Sequence, residues 1–143
     1  MTDEQEIRDL IEAWAIAAHG GDLDTVLADH APEIVMFDVP PPYEGVRGIQ
    51  AYRDSWLPFF AWQASGAVFE IESLDVVVGT DVAFAYGLLR CGTPADFARD
   101  PRQRLRLTIG LCKNDGRWVV YHEHHSFTDT TSAAEPTPAA VQP

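Results

Sequence analysis

The stretch KNDGRWVVYHEHHSF, from Lys113 to Phe127, carries both the clearest fold signal and the most unusual chemistry of the chain. Asn114-Asp115-Gly116 lies between two largely apolar runs, which is typical of a β-hairpin turn. Residues 118–127 then form a predicted strand, whose alternate side chains point to opposite faces. Three of the five histidines and one glutamate fall within four consecutive positions of this strand. If the strand is half-buried, these polar groups need partners or a function.

Composition limits the possible partners. A chain of 143 residues suits one domain with one core. Its 22 acidic and 10 basic residues give a formal charge of −12, which opposes binding to nucleic acid and to anionic membrane surfaces. Cys91 and Cys112 have neither metal-ligand spacing nor a disulfide pattern. Because the sequence has no apolar run that could span a bilayer and no signal-peptide pattern, we predict a cytoplasmic protein.

Hydrophobic periodicity predicts helices first and strands afterwards. Thr2 can cap a first helix that runs to about His19, and a short second helix follows Asp22. A third helix over residues 48–56 should end or kink at Pro58. Alternating patterns predict strands over residues 33–37, 68–78, 82–91, 104–113 and 118–127.

This order of elements predicts one α+β domain over residues 1–130, with the helices covering one face of an antiparallel sheet. The strand over residues 68–78 should contain a bulge near Asp75, where its alternation gives way to a continuous apolar run. Residues 93–103 should form a loop. Residues 131–143 are rich in Ala, Pro and Thr and should be disordered.

Three stretches carry a family resemblance: GGDLDTVLADHAPEIVMFD at 20–38, GVRGIQAYRDSW at 45–56 and RLTIGLCKNDGRWVVYHEHHS at 106–126. Together they resemble the nuclear transport factor 2-like superfamily, in particular its SnoaL-like branch of ketosteroid isomerase homologues. The resemblance implies a cone-shaped α+β fold with three N-terminal helices packed on a curved antiparallel sheet. It also implies a hydrophobic cavity and a homodimer through the outer sheet face. It implies little about chemistry, because one fold hosts many functions.

Asp38 directly follows the first predicted strand. In the steroid isomerases that the chain resembles, an aspartate at the corresponding place is the general base. The resemblance therefore implies that Asp38 removes a proton next to a carbonyl group in a dry cavity. The alternative is a turn aspartate that bonds the backbone before the proline run. The oxyanion donors of those isomerases correspond to Trp14 and Thr108, which makes steroid isomerisation a poor fit.

Strand pairing decides which polar residues face the cavity. With Asp115-Gly116 as a two-residue loop, Arg106 lies opposite His125 and Thr108 lies opposite Glu123. With a three-residue turn, Arg106 would lie opposite His124 instead. The first register predicts a cavity lined by Arg106, Thr108, Tyr121, Glu123 and His125.

In that register, His122 and His124 lie on the outer face. The row Leu105, Leu107, Ile109 and Leu111 also lies there, and a second subunit would have to cover it. Glu123 and His125 become catalytic candidates beside Asp38, because such a pair is a general acid/base near neutral pH. The alternative is that these histidines are hydrogen-bonded interface and sheet residues.

The remaining candidates concern binding. Trp14, Tyr52 and Trp56 are predicted core residues that could also form a substrate platform, and Arg106 could anchor an anionic ligand. His122 and His124 could share a metal, but no third ligand is evident, so we predict no metal and no other cofactor.

Two functions remain open. The first is a cofactor-independent isomerase, cyclase or lyase that uses general acid–base chemistry on a small, largely apolar carbonyl compound, with Asp38 as the base. The second is a non-catalytic ligand-binding or association module of the same fold.

Overall fold

The computed structural model describes residues 1–131, so that nearly all of the predicted disordered tail, residues 131–143, lies outside the described residues. The helices are α1 (Asp3–Gly20), α2 (Leu23–Leu27), α3 (Ile49–Gln63) and α4 (Pro94–Arg99). The strands are β1 (His30–Phe37), β2 (Val46–Arg47), β3 (Val68–Val78), β4 (Val82–Gly92), β5 (Leu105–Asn114) and β6 (Arg117–Ser126).

All six strands form one sheet in the order β2-β1-β6-β5-β4-β3. Every neighbouring pair is antiparallel except β1 and β6, which run parallel. Helix α1 packs against β3, and α3 packs against β1. The predicted α+β arrangement of helices on a mostly antiparallel sheet is confirmed. The parallel pair matters most for the site, because it brings the end of β1 beside the end of β6.

Helix α1 has the start and stop signals that its sequence predicts. The Thr2 side chain accepts a hydrogen bond from the Gln5 backbone N–H at 3.1 Å. Gly21 ends the helix with φ of 73°, a left-handed conformation that glycine adopts without strain. The apolar stripe of α1 is buried against the sheet. No helix within residues 1–131 has the length and apolar character needed to cross a membrane.

Helix α3 continues through Pro58 to Gln63, so the prediction that the helix ends at Pro58 is wrong. Proline inside a helix removes one hydrogen bond and crowds the previous turn, at about 3 kcal/mol. Aromatic packing beyond the proline offsets this cost. The Phe59 ring lies edge-on to Trp56 at 5.1 Å and to Phe69 at 5.2 Å between ring centroids.

Two smaller expectations are also corrected. The predicted loop over residues 93–103 contains α4, which begins with a reciprocal capping box between Thr93 and Asp96. The bulge in β3 lies between Ile71 and Ser73 rather than near Asp75.

The β5–β6 hairpin has the predicted two-residue loop, since Asn114 pairs with Arg117. Asp115 and Gly116 both have positive φ, of 52° and 78°, as a type I′ turn requires. Further along, a β-bulge leaves Tyr121 without a partner and shifts the pairing by one residue.

The bulge changes which residues face each other. The register predicted from a two-residue loop holds from the turn to the Leu111–Val120 pair. Beyond the bulge neither predicted register holds, since Arg106 pairs with Ser126 and Thr108 pairs with His124. Before the bulge, Trp118 and Val120 belong to the core; after it, Glu123 and His125 are buried.

The same shift reverses the predicted faces of β5. Its row Leu105, Leu107, Ile109 and Leu111 belongs to the core beneath the helices, so no second subunit is needed to cover it. Arg106, Thr108 and Tyr121 are exposed on the outer face and do not line the cavity, contrary to expectation. Arg106 instead donates to Ser126 Oγ and to the Phe127 carbonyl oxygen, both at 3.1 Å.

Candidate active site

A cavity of about 290 Å³ opens between α3, the end of β1 and the strands β3 to β6. Most of its wall is apolar and includes Met36, Trp56, Phe59, Trp62, Phe69 and Phe127. Its polar side chains are those of Asp38, Ser55, Asp96, Gln103 and His125. The Asp96 carboxylate already accepts two hydrogen bonds, one from the Thr93 backbone N–H at the start of α4 and one from Arg99 at 2.7 Å. The carboxylate of Asp38 and the imidazole of His125 are therefore the reactive groups of this wall.

Parallel pairing between β1 and β6 brings Asp38 and His125 together. Phe37 pairs with His124, so that the next residue of each strand lies at the same level. The Asp38 Oδ1 to His125 Nδ1 distance is 3.4 Å. Asp38 Oδ1 also accepts a hydrogen bond from the Val39 N–H at 2.8 Å, so Asp38 has both the predicted turn contact and the predicted place in a cavity.

His125 lies between two carboxylates. Its Nε2 is 3.1 Å from Glu123 Oε1, while its Nδ1 faces Asp38. Burial acts to lower the pKa of His125, but the interactions with Asp38 and Glu123 outweigh it and raise the pKa from 6.5 to about 9. At neutral pH the ring is therefore an imidazolium that can donate a proton.

Glu123 is completely buried and lies behind His125, away from the cavity. Its Oε2 accepts hydrogen bonds from the Tyr52 hydroxyl at 2.7 Å and from His30 Nε2 at 2.8 Å. Burial acts to raise the pKa of Glu123, but the hydrogen bonds and charges of His125 and His30 lower it from 4.5 to about 2. Glu123 is thus a fixed negative charge.

Trp14 and Tyr52 belong to this buried cluster and do not line the cavity. The Trp14 indole N–H donates to the Tyr52 hydroxyl at 3.0 Å. Burial raises the pKa of Tyr52 well above its usual value, and the charge of Glu123 adds to the effect. Of the three predicted platform residues, only Trp56 forms part of the cavity wall.

His30 completes the cluster, and the sequence analysis missed it. It opens β1, three residues before the start of the predicted strand, where no local pattern marks it. Its Nδ1–H donates to the Ala28 carbonyl oxygen at 2.8 Å. Only the parallel pairing of β1 with β6 reveals that His30 reaches Glu123.

His122 and His124 take no part in the cavity. His122 Nδ1 lies 2.6 Å from the Val35 carbonyl oxygen, and the Phe37 ring packs edge-on against both imidazoles. Within residues 1–131, no three His, Cys, Asp or Glu side chains are grouped so as to hold a metal ion.

Cys91 also lines the cavity. Burial, together with the charges of Asp38 and Asp96, raises the pKa of its thiol from 9.0 to about 12. Because the thiolate is the reactive form, this cysteine is inert as a nucleophile near neutral pH.

Known proteins match this chain in fold and in family. The family model described as "SnoaL-like domain" matches residues 7–130. An NTF2-like protein of unknown function from Pseudomonas putida KT2440 is 33% identical over 88% of each chain, with a TM-score of 0.75. No curated protein matches the chain.

More distant structures share the fold. A "putative ketosteroid isomerase" from Shewanella frigidimarina NCIMB 400 is 16% identical over 82% of this chain and 92% of its own, with a TM-score of 0.65. A "putative dehydratase" of the NTF2-like family from Streptomyces avermitilis is 14% identical over 87% and 95%, with a TM-score of 0.68. The match over residues 7–130 shows that the chain belongs to the SnoaL-like domain family, and its fold is that of the NTF2-like proteins.

Proposed function

We propose that the protein is a cofactor-independent enzyme, an isomerase, cyclase or lyase, that performs general acid–base chemistry on a small carbonyl compound. One observation carries the proposal: Asp38 and His125 stand 3.4 Å apart on the wall of a mostly aromatic cavity. A carboxylate that accepts a proton and an imidazolium that donates one are the two groups that such chemistry needs.

In the proposed reaction, Asp38 takes a proton from the carbon next to the carbonyl group. The electron pair of that C–H bond forms an enolate, and His125 gives its proton to the developing oxygen charge or to a leaving hydroxyl group. Return of the proton to a different carbon is isomerisation, and loss of the hydroxyl group is elimination. Attack of the enolate on a second carbonyl group is cyclisation. Only protons and electron pairs move, so no oxidant or reductant is required.

The cavity wall supports a small, uncharged and largely apolar substrate. Its volume of about 290 Å³ is at the lower end of ligand pockets, which span roughly 300–1,000 Å³. Among residues 1–131, those that line the cavity include two aspartates and neither arginine nor lysine. A substrate carboxylate or phosphate would meet like charge there, and Arg106 is on the outer face, where it cannot anchor one.

Steroid isomerisation is not part of the proposal. The positions that correspond to the isomerases' oxyanion donors are Trp14, which donates to Tyr52, and Thr108, which is on the outer face. The isomerase and dehydratase among the fold neighbours are 16% and 14% identical, and at that level only the fold is shared.

A screen of activated ketones for isotope exchange tests this function. In D2O, the enzyme should speed the replacement of hydrogen at the α-carbon of some neutral ketones, as followed by NMR. The same panel, measured by thermal shift, separates turnover from binding. Compounds that raise the melting temperature without any exchange across a broad panel would favour the non-catalytic ligand-binding module.

The protein is further proposed to be a homodimer through the outer face of the sheet. The predicted leucine row cannot form this interface, since it lies in the core. Support comes instead from a different row on β4, in which Val82, Phe84, Tyr86 and Leu88 are all at least 38% exposed. An apolar row of this kind is typical of a surface that a partner covers.

A further inference from the structure

Each ring nitrogen of His125 faces a carboxylate. Nε2 lies 3.1 Å from Glu123 Oε1, and Nδ1 lies 3.4 Å from Asp38 Oδ1. A neutral imidazole carries one N–H and offers a lone pair at the other nitrogen, which a carboxylate would repel. Only the imidazolium presents an N–H to both carboxylates. The geometry therefore selects the protonated ring.

The two carboxylates differ in their access to a ligand. Asp38 lines the cavity, and its side chain is 24% exposed. Glu123 is fully buried and is not part of the cavity wall. Tyr52 and His30 hold its Oε2 at 2.7 and 2.8 Å, so Glu123 cannot swing towards a substrate. Glu123 therefore does not contact a reacting atom and acts only through its contact with His125.

His30 binds the same carboxylate from the opposite side. Its Nδ1 faces the Ala28 carbonyl oxygen and its Nε2 faces Glu123 Oε2, each at 2.8 Å. The Tyr52 hydroxyl also lies 3.1 Å from His30 Nε2, so that His30, Tyr52 and Glu123 form one hydrogen-bonded group. The Glu123 carboxylate therefore has two histidine partners, His30 at Oε2 and His125 at Oε1.

We propose that Glu123 is a positioning residue, which holds His125 protonated with its Nδ1–H towards Asp38 and the cavity, and that His30 weakens this hold by sharing the carboxylate. The part played by His125 towards a substrate rests on the proposed function. The effect of Glu123 on the protonation and orientation of His125 is a property of the free protein.

In the part of the chain that the structure describes, few ionisable groups surround His125. Asp38 and Glu123 face the ring, and His30 and Tyr52 act on it through Glu123. Asp96 and Cys91 share the cavity with it. Trp14, whose ring packs at 6.1 Å between centroids, has no ionisable group.

NMR titration of the His125 ring in the free protein tests the proposal without any substrate. In the wild type, His125 should keep its proton well above the ordinary histidine pKa of about 6.5. An adjacent opposite charge shifts a pKa by about 1–3 units, so Glu123→Gln should lower the pKa of His125 by at least about one unit. His30→Gln should move the pKa of His125 the other way, since Glu123 then loses the imidazole that shares its carboxylate with His125.

The two variants should shift the pKa of His125 in opposite directions. This distinguishes an electrostatic effect of Glu123 from a general loosening of the fold, which would shift the pKa in the same direction in both variants. A decrease of similar size in Glu123→Gln and His30→Gln would overturn the proposal, as would a wild-type His125 that titrates at or below 6.5. His124→Gln, an exposed neighbour in the same strand, is the control and should leave the titration of His125 unchanged.

If Glu123→Gln does not fold, the titration of His125 in Asp38→Asn tests the proposal instead. Because Glu123 remains in that variant, His125 should still titrate above 6.5, and a value at or below 6.5 would overturn the proposal. Failure of the ketone screen would not alter these results, so the two proposals fail separately.

Discussion

His125 should make the stability of the protein depend on pH. Its pKa is raised on folding from 6.5 to about 9, so its contribution is complete below pH 6.5 and is lost as the pH rises through 9. A shift of this size corresponds to about 3 kcal/mol. Urea unfolding at pH 6.5 and pH 9.5 should show a larger loss of stability for the wild type than for His125→Gln. Equal losses in the two proteins would show that folding does not raise this pKa.

At the scale of single residues, the sequence predicted Asp38 and His125, which lie together on the cavity wall, but not His30, which contacts Glu123 behind them. Asp38 stood out because it follows a strand in a family-like stretch, and His125 because it belongs to a polar cluster in an otherwise apolar strand. His30 has no such local signal. Its role depends on the parallel pairing of β1 with β6, which brings together His30 and Glu123, 93 positions apart in the sequence. Pairing at that range is not encoded by local periodicity.

At the scale of elements, the bulge at Tyr121 explains most of the errors. Regular alternation offered two choices: the face with Trp118 and Val120, or the face with Glu123 and His125. The structure buries both sets, because the bulged residue lets the strand change face partway along. A one-residue shift reverses every later assignment on a strand, which is why Arg106 and Thr108 were placed in the cavity.

Helix α3 offers a stability prediction at the same scale. Pro58 is exposed within the helix and removes one backbone hydrogen bond. Pro58→Ala should therefore stabilise the protein by about 2 kcal/mol. The helical gain is about 3 kcal/mol, and the greater freedom of the unfolded chain removes up to about 1 kcal/mol of it. Urea unfolding measures the change. Leu57→Ala, at the exposed neighbouring position, is the control and should change stability by less than about 0.5 kcal/mol. A destabilised Pro58→Ala variant would show that the proline ring itself supports the helix.

At the scale of the whole molecule, the proposed dimer depends on the outer row of β4. Light scattering at micromolar concentration should give twice the mass of 15.8 kDa. Phe84→Glu should yield monomers, because it would bury a charge without a partner in the apolar interface. Ile16→Glu, at a 75% exposed position on α1, is the matched control and should remain dimeric. A wild-type monomer, or a Phe84→Glu variant that stays dimeric, would place the interface elsewhere or remove it.

The central claim is that Asp38 is the base that removes a proton from a bound carbonyl compound. It is tested most directly by the rate of α-proton exchange in wild type and Asp38→Asn, with a ketone that the wild type exchanges. The amide keeps the shape of the side chain and an oxygen for the Val39 N–H, but it cannot accept the proton. General bases contribute about 10²–10⁴ in rate, so exchange should fall by at least about a hundredfold. Asp75→Asn, at an exposed carboxylate on β3, should keep the wild-type rate. If Asp38→Asn exchanges the proton as fast as the wild type, Asp38 is not the base and the account of the site is wrong.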